Sequence, residues 1–489
     1  MPIQLIASLF LDGPPPWFPD PYRLLKVGAA VGAVALTKWY ASGRRNPSER
    51  NMHGRVVLVT GGTSGVGAQT AFELARRGAQ IVLLTRQPPS DPFLADFVGD
   101  LRARSGNQLI YAEQVDLADL HSVRQFATRW IDNAPPRRLD MIVLCAATLT
   151  PPGRPRVETA EGVEMTWMVN YLANFHLLGI LSPAIRAQQF DRDVRIVVPT
   201  CSSYISAPKL DADEVIRGGD DKDWTPSKAY ARSKFALMVF AKAYQKHLDA
   251  HKRPDGLPTN TRVVLVDPGY ARTPGMTRWL TRGSLWGLLL YVLLYPLVWV
   301  LLKSANSAAQ SLLYAAMDGS LGRGAGGRLI KECMEVDCAR RDVDDEEVAK
   351  KLWEESDKLI ERVEKQQAVK RAKAKKEQEK RDEEAKQAAQ IEEIEALVGA
   401  IKKGKAREAK AKEAKEARTP PKKNGKKTKS GGDNASSSHC HPVFFTDKLR
   451  RQPPFRVSAN PHPHASPVAH GYVYQDAPRG SAKSAGPRL

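Results

Sequence analysis

The sequence predicts an α/β fold: a doubly wound parallel sheet with helices on both faces, followed by a charged helical and disordered C-terminal tail. Three observations predict it. Short apolar runs of strand length alternate with stretches of helical periodicity between residues 55 and 266. A glycine cluster separates the first such strand from the first such helix. The composition then changes sharply: residues 365–430 carry 22 Lys and Arg against 11 Asp and Glu, and residues 431–489 carry 7 against 3, in a chain of net charge +20. The basic character therefore belongs mainly to the tail.

Residues 1–52 read as an apolar and basic segment. Met1-Pro2 opens it without a basic n-region, so it does not resemble a signal peptide. Its two apolar stretches are Ile3–Leu11 and Val27–Leu36, the second bracketed by Lys26 and Lys38. Ten apolar residues fall short of the roughly 20 that span a bilayer. The segment is either a marginal anchor with snorkelling lysines or a helix lying on the globular body.

Residues 53–363 form the predicted domain. Its strands are Arg55–Thr60, Ile81–Thr85, Leu109–Val115, Met141–Leu144, Arg195–Pro199 and Arg262–Val266. Helical patterns at Ala68–Arg77, Ser122–Ile131, Gly162–Leu181 and Lys228–His247 intervene. Gly283–Leu302 is a 20-residue run without charge, read as a membrane helix or as an apolar flap over a substrate site, with Pro296 near its middle. Val343–Val363 keeps apolar spacing and is expected to cap the domain. Residues 364–418 read as a charged helix, solvated or weakly coiled-coil, and 419–489 as a disordered basic tail.

Five cysteines (Cys145, Cys201, Cys333, Cys338, Cys440) make no disulfide framework and no common zinc spacing. His439-Cys440-His441 and the histidines at 462, 464 and 470 resemble a metal tract in composition alone, so no metal is expected. The Lys-rich 402–429 stretch has no interleaved aromatics. Base stacking is thus not supported, and nucleic acid is not an expected partner.

The chemistry begins at Thr60-Gly61-Gly62-Thr63-Ser64-Gly65-Val66-Gly67, between a strand and a helix. Glycines admit a pyrophosphate close to the backbone, and the helix N-terminus offers free N–H groups. This context makes the fold Rossmann-type. Gly61, Thr63, Ser64, Gly65, Val66 and Gly67 are the candidate phosphate cradle. At the end of the second strand an acid would favour NAD, but the chain has Thr85-Arg86. A guanidinium there suits the ribose phosphate of NADP(H). Tyr230-Ala-Arg-Ser-Lys234 then places a phenol and an ammonium one helical turn apart. A phenol of pKa about 10 is a poor acid–base group at neutral pH. Lys234 and an oxidised nicotinamide would lower that value and let Tyr230 exchange a proton with a carbonyl or alcohol oxygen.

Together, Gly61-x-x-x-Gly65-x-Gly67 and Tyr230-x-x-x-Lys234 resemble the short-chain dehydrogenase/reductase superfamily over about 300 residues. Tyr230-Ala-Arg-Ser-Lys-Phe-Ala and Ala349-Lys-Lys-Leu-Trp353-Glu-Glu-Ser look most like its retinol-dehydrogenase-like branch. The resemblance implies that Asp116 contacts the adenine and that Asn170 supports a proton-relay water near Lys234. It also implies that Pro268, Gly269 and Thr273 hold the nicotinamide carboxamide. It has two departures. Cys145-Ala146-Ala147 stands where the family has Asn-Ala-Gly, so Cys145 borders the cofactor in place of an asparagine. The substrate-orienting serine falls in Thr200-Cys201-Ser202-Ser203: ungapped counting gives Cys201, a short insertion gives Ser203 or Ser202, and Ser203 is preferred.

The expected function is therefore NADP(H)-dependent carbonyl/alcohol interconversion on a lipid-, retinoid- or sterol-like substrate. The branch resembled implies a membrane or lipid-droplet surface, with the endoplasmic reticulum or a lipid droplet as location and the domain facing the cytosol, or else the cytoplasm. A homodimer is an open assembly. Two rival readings stand beside this one: a non-catalytic Rossmann-fold scaffold, and a membrane or RNA tether working through the basic tail.

Overall fold

Five consecutive apolar or β-branched residues, Val56–Thr60, form β1, and all five are buried. Such a run suits a strand covered on both faces. The computed structural model describes residues 20–189, 192–210, 224–253 and 256–416. Around β1 stand β2 (Gln80–Thr85), β3 (Ile110–Gln114), β4 (Met141–Leu144), β5 (Val194–Pro199), β6 (Thr261–Asp267), β7 (Arg328–Lys331) and β8 (Met334–Val336). They form one sheet in the order β3-β2-β1-β4-β5-β6-β7-β8. Every pairing is parallel except β7 with β8. The six expected strands are present within a residue or two of their predicted bounds; β7 and β8 were not anticipated.

The helices in chain order are α1 (Pro21–Ser42), α2 (Gly65–Arg76), α3 (Pro92–Ser105), α4 (Leu120–Ile131), α5 (Met165–Arg186), α6 (Pro226–Ala250), α7 (Pro274–Leu280), α8 (Leu285–Leu293), α9 (Tyr295–Leu301), α10 (Ala305–Met317) and α11 (Glu346–Glu416). Alternate residues of β1 point to opposite faces. Val57 and Val59 join a core with Leu74 of α2, Val98 of α3 and Leu312 of α10. Leu58 joins a second core with Phe126 of α4, Leu177 of α5 and Phe235 of α6. Removing such a side chain, as in Leu58→Ala, costs about 2–5 kcal/mol in a packed interior.

The first turns of α11 close the α5–α6 side. Trp353 lies 5.4 Å from Phe175 and 5.5 Å from Phe240, ring centre to ring centre. Tyr171 Oη and Ser356 Oγ are 2.8 Å apart. Leu359, Ile360 and Val363 are buried beside them. From 370 to 411 the helix is a separate compact unit with almost every residue exposed. It carries Ile391, Ile394, Val398 and Ile401 at three-four spacing.

One expectation for the apolar segments is corrected. Gly283–Leu302 is not one helix. α8 ends at Leu293, and α9 restarts at Tyr295 with Pro296 in its first turn. Proline has no N–H to continue a helix and disfavours helical geometry in the residue before it. The two pieces, of nine and seven residues, are each far shorter than the roughly 20 that cross a bilayer. Among the described residues the helix long and apolar enough for that is Met165–Arg186, which is mostly buried in the core. Of the two alternatives left open for residues 1–52, α1 does not take the one in which the helix lies along the body. Leu25, Val31 and Leu36 are exposed, and it meets α9 through its C-terminal half. Ile3–Leu11, Cys440, the C-terminal histidines and the 419–489 tail lie outside the described residues.

Candidate active site

The carboxyl ends of β1, β4, β5 and β6 bring most of the candidate residues to one edge of the sheet. The glycine loop turns tightly there. Gly61 has φ +63° and Gly65 φ +57°, conformations that cost an L-residue dearly. A Cβ on Gly67 would lie 2.3 Å from the Gly61 carbonyl, and one on Gly61 would lie 2.7 Å from Ala146 N. Glycine is thus required for contact between the loop and the end of β4. Ser64 opens α2 without capping it by its side chain, so the first-turn N–H groups and the Ser64 hydroxyl face outward from the helix end. Thr63 lies between Gly62 and Ser64 in this loop, and Val66 packs partly into the core under it. A Cβ on Gly65 would come 3.2 Å from Thr273 Cγ2, so the two ends of the expected cofactor groove face each other.

Arg86 is exposed past β2, and its guanidinium has no carboxylate partner among the described residues. Its carbonyl accepts from Gln114 Nε2 at 3.3 Å. Asp116 follows β3; one carboxylate oxygen accepts from Ala118 N at 2.9 Å, which leaves the other for a ligand. Gly269 (φ +74°) donates its N–H to Asp267 Oδ1 at 3.0 Å, fixing the turn that Pro268 begins. Thr273 caps α7, its Oγ1 accepting from Met276 N at 3.3 Å.

The end of β4 shows how the chain manages without the asparagine. Thr60 Oγ1 accepts from Ala146 N at 3.1 Å and anchors the strand end to β1. Burial pushes the Cys145 thiol up to about 12, partly opposed by Lys234, so it is a neutral group at the groove wall.

Tyr230 and Lys234 lie on α6. Lys234 Nζ, buried, donates to the Pro199 carbonyl at 3.0 Å, and lies 5.9 Å from the centre of the Tyr230 ring. Burial lowers the Lys234 pKa, with Cys201 and Cys145 opposing. The expected lowering of the Tyr230 pKa by Lys234 and an oxidised nicotinamide belongs to the cofactor complex; in the protein alone the surroundings act the other way. Burial, with Cys201, Asp267 and Tyr270 adding to it, raises the phenol instead. In the protein alone Tyr230 is held firmly as the neutral acid. Its hydroxyl has no hydrogen-bond partner among the described residues.

Asn170 lies in a single π turn, Met168–Leu172, inside α5. Such turns are common at functional sites because they widen the helix locally. Its side chain accepts from Thr148 N at 2.7 Å and donates to Thr148 O and Ser233 Oγ, each at 3.0 Å. Ser233 in turn donates to the Tyr230 carbonyl at 2.8 Å. The amide therefore ties the chain after β4 to the turn of α6 that carries Tyr230. The Asn170 carbonyl accepts from Asn174 Nδ2 at 2.9 Å.

The serines separate. Ser202 Oγ donates to Asp267 Oδ2 and accepts from Lys331 Nζ at 3.2 Å. Those contacts engage Ser202 with β6 and β7. Ser203 Oγ is buried without a partner. Cys201 sits between them and the strand, in extended backbone, and its thiol is an electrostatic neighbour of Tyr230, Lys234 and Tyr270.

A cavity of about 610 Å³ adjoins this edge, lined by Thr273, Arg278, Leu288, Tyr291, Tyr295 and neighbours. It touches the expected cofactor residue Thr273 and does not reach Tyr230. Sequence reasoning missed three groups nearby: Thr60, Ser233 and Lys303. Lys303 is buried, pairs with Glu332, and packs under Gly269. Its backbone brackets the loop, Lys303 N donating to Tyr270 O and Arg272 N to Lys303 O. A lone lysine at the end of an apolar run gave no signal of this.

Comparison with known proteins adds kinship to this geometry. Residues 55–204 match the family model described as short chain dehydrogenase. An uncharacterized oxidoreductase of Schizosaccharomyces pombe is 44% identical over 71% of this chain and 92% of its own length. Retinol dehydrogenase 13 of Homo sapiens is 31% identical over 69% of this chain and 94% of its own. Polyprenol dehydrogenase of Mus musculus is 33% identical over 68% and 92%.

Proposed function

The chain belongs to the short-chain dehydrogenase family, on its retinol-dehydrogenase-like branch, and on that premise we propose that it interconverts a carbonyl and an alcohol on a hydrophobic substrate with NADP(H). The family fold binds a nicotinamide cofactor, and the residues present fit one. The glycine loop is a cradle that any Cβ at 61 or 67 would fill, and α2 presents uncapped N–H groups to a pyrophosphate. Arg86, without an acidic partner among the described residues, supports the ribose phosphate and hence NADP(H). Asp116, Cys145, Pro268, Gly269 and Thr273 line the rest. When bound, the nicotinamide supplies or accepts the hydride.

The observation that carries the reading is Tyr230. Its hydroxyl is unpartnered among the described residues, on the helix whose Lys234 is pinned to the end of β5. A neutral phenol is the proton donor that a carbonyl needs as it becomes an alcohol. Lys234 supplies positive charge when the proton has left, and Asn170 holds the Tyr230 turn through Ser233, beside which a relay water would sit. The group beside Tyr230 that meets the substrate oxygen is Cys201 or Ser203. Loss of turnover in Cys201→Ala with Ser203→Ala unaffected selects the thiol, and the reverse selects the hydroxyl.

The names of the relatives, retinol and polyprenol dehydrogenases, support an apolar alcohol or aldehyde as substrate. The same reading takes the protein to a membrane or lipid-droplet surface, at the endoplasmic reticulum or a droplet, with the domain in the cytosol. A homodimer would use a surface other than α5–α6, which Trp353 covers. The non-catalytic alternative drew on the missing asparagine, and the bond from Ala146 N to Thr60 weighs against it. The test is a panel of carbonyls and alcohols with NADPH and NADH. Turnover of a lipophilic aldehyde that Tyr230→Phe abolishes is expected; cofactor binding without turnover across the panel overturns the enzyme reading.

A further inference from the structure

The cavity of about 610 Å³ beside Thr273 has walls that the chemistry at Tyr230 does not use. It lies among α7, α8, α9 and the start of α10, and its polar walls are guanidinium, phenol and hydroxyl groups. No carboxylate lines it. The chain has no acid at all from residue 268 to 317, where the charged residues are Arg272, Arg278, Arg282 and Lys303. Lys303 is matched by Glu332. Arg272 and Arg278, which line the cavity, have no acidic partner among the described residues.

Arg272 is held from two sides. Its backbone N–H donates to Lys303 O at 2.9 Å, and its Nη1 donates to Tyr295 Oη at 3.1 Å. Its Nε is buried and has no hydrogen-bond partner among the described residues. A buried donor is costly to leave unmade, the more so on a cation that cannot shed its charge. The phenols are made donors by their neighbours. Tyr295 Oη already accepts from Arg272, and Tyr291 Oη accepts from Thr277 Oγ1 at 3.5 Å. Each phenol therefore keeps its own proton to give.

The surroundings strengthen the positive field. Ser304 caps α10, its Oγ accepting from Ser307 N at 3.0 Å, so the positive end of a 13-residue helix adjoins the cavity. A third cation, Lys38 of α1, stands nearby, its Nζ donating to Trp299 O at 2.7 Å and Leu302 O at 3.4 Å. Burial, then Arg272, lowers its pKa.

Two guanidiniums and two phenol protons without an acid fit an oxyanion, which arginine binds through parallel N–H groups. The volume is that of a site for a small organic molecule. Leu288, Pro274 and the rings of Tyr291 and Tyr295, 6.1 Å apart, give it apolar wall as well. Thr273 is shared with the loop expected to hold the nicotinamide, but Tyr230 is not reached.

We propose that this cavity is a second ligand site, apart from the carbonyl/alcohol site, which binds a soluble organic phosphate or carboxylate through Arg272, Arg278, Tyr291 and Tyr295 whether or not the nicotinamide cofactor is bound.

The experiment titrates the full chain by calorimetry, with and without NADPH, using hexyl phosphate, hexanoate, hexanol and inorganic phosphate. At least one of the two organic anions should bind with a Kd below about 1 mM, with equal affinity in both states. Hexanol and inorganic phosphate should bind at least tenfold more weakly. The exposed Arg278→Gln should weaken the anion at least tenfold, and Arg278→Lys should recover only part of that, because an ammonium lacks the fork. Tyr295→Phe, which removes a donor and loosens Arg272, should weaken it severalfold. Anion binding unchanged in Arg278→Gln and Tyr295→Phe overturns the proposal. So does hexanol binding as tightly as the anions, which makes the cavity merely apolar. Inorganic phosphate binding as tightly as hexyl phosphate overturns the organic ligand. Competition between the anion and NADPH assigns the cavity to the cofactor groove and overturns the second site. Binding to phosphatidic acid vesicles without binding of either soluble anion assigns the arginines to a lipid headgroup and overturns it too.

Discussion

The two ends of the sheet are built on opposite principles. At the amino ends of the strands, buried charge is matched with care. Asp140, almost wholly buried, faces Arg55 and Arg138 at 3.2 Å and Arg192 at 3.6 Å, and accepts from Val56 N at 2.9 Å. Asp193 pairs with Arg50 and Arg195, both at 2.6 Å, and Arg195 is itself fully buried. At the carboxyl ends, polar groups are left waiting. Among the described residues Thr200 Oγ1 and Ser203 Oγ are buried without partners, the half-buried Tyr230 has no partner for its hydroxyl, and Arg86 has no carboxylate. A buried polar group without a partner costs about 1–3 kcal/mol. The difference teaches where this chain spends stability: the closed end holds the sheet, and the open end keeps bonds for a ligand.

Changes at each end should therefore separate activity from stability. The largest effect is expected in Tyr230→Phe, which should lower kcat by roughly 10²–10⁴ while the melting temperature stays within about a degree, because the lost hydroxyl has no partner among the described residues. A matching fall in melting temperature would break the comparison. Next is Asp140→Ala at the closed end. Removing a carboxylate that serves three arginines should cost about 3–5 kcal/mol in chemical denaturation, with kcat per folded molecule unchanged.

Smaller is Arg86→Asp, which should move the NADPH/NADH ratio of kcat/KM by roughly 10- to 100-fold toward NADH, the worth of a charged hydrogen bond. An unchanged ratio would remove Arg86 from the site. The smallest is a pH effect. Burial pushes the Asp193 carboxyl up, but the bonds and charges of Arg195 and Arg50 outweigh it and hold the group below its ordinary 3.8. Its contribution to stability is therefore fully present above that value and drains away as pH falls through the depressed one. Denaturation curves should show no loss from this group at neutral pH, and Asp193→Asn should flatten the acid limb.

The sheet was legible because its signal is local. Val56–Thr60 and Gln80–Thr85 each announce themselves by five or six apolar or β-branched residues between glycines or turn residues. The Tyr230–Lys234 spacing is equally local, and so is the glycine loop. What escaped was set by partners distant in sequence. β7 and β8 are four and three residues long, behind a glycine-rich stretch, and exist because β6 supplies an edge. The fate of Ser202 depended on Lys331, 129 residues away. The break in the apolar run at Pro296 was visible, yet its use required seeing Lys38 arrive from α1. The burial of Tyr230 escaped for a similar reason: helix spacing brings the lysine near, but only the packed structure reveals how strongly burial raises the phenol in the protein alone.

One small hairpin joins these regions. Glu332 and Cys333, between β7 and β8, have φ +52° and +55°, a conformation that glycine or asparagine usually supplies. The Glu332 carboxylate accepts from Arg44 N at 3.1 Å, just past the end of α1, and pairs with Lys303 under the Gly269 turn. A residue held in this strained backbone is a shared fastening for two arms of the molecule. The helix α1 and the Gly269 loop hang from the same carboxylate. A pull on α1 is thus felt at Gly269 without passing through the core, and Glu332→Gly would relax the hairpin while unfastening both arms at once.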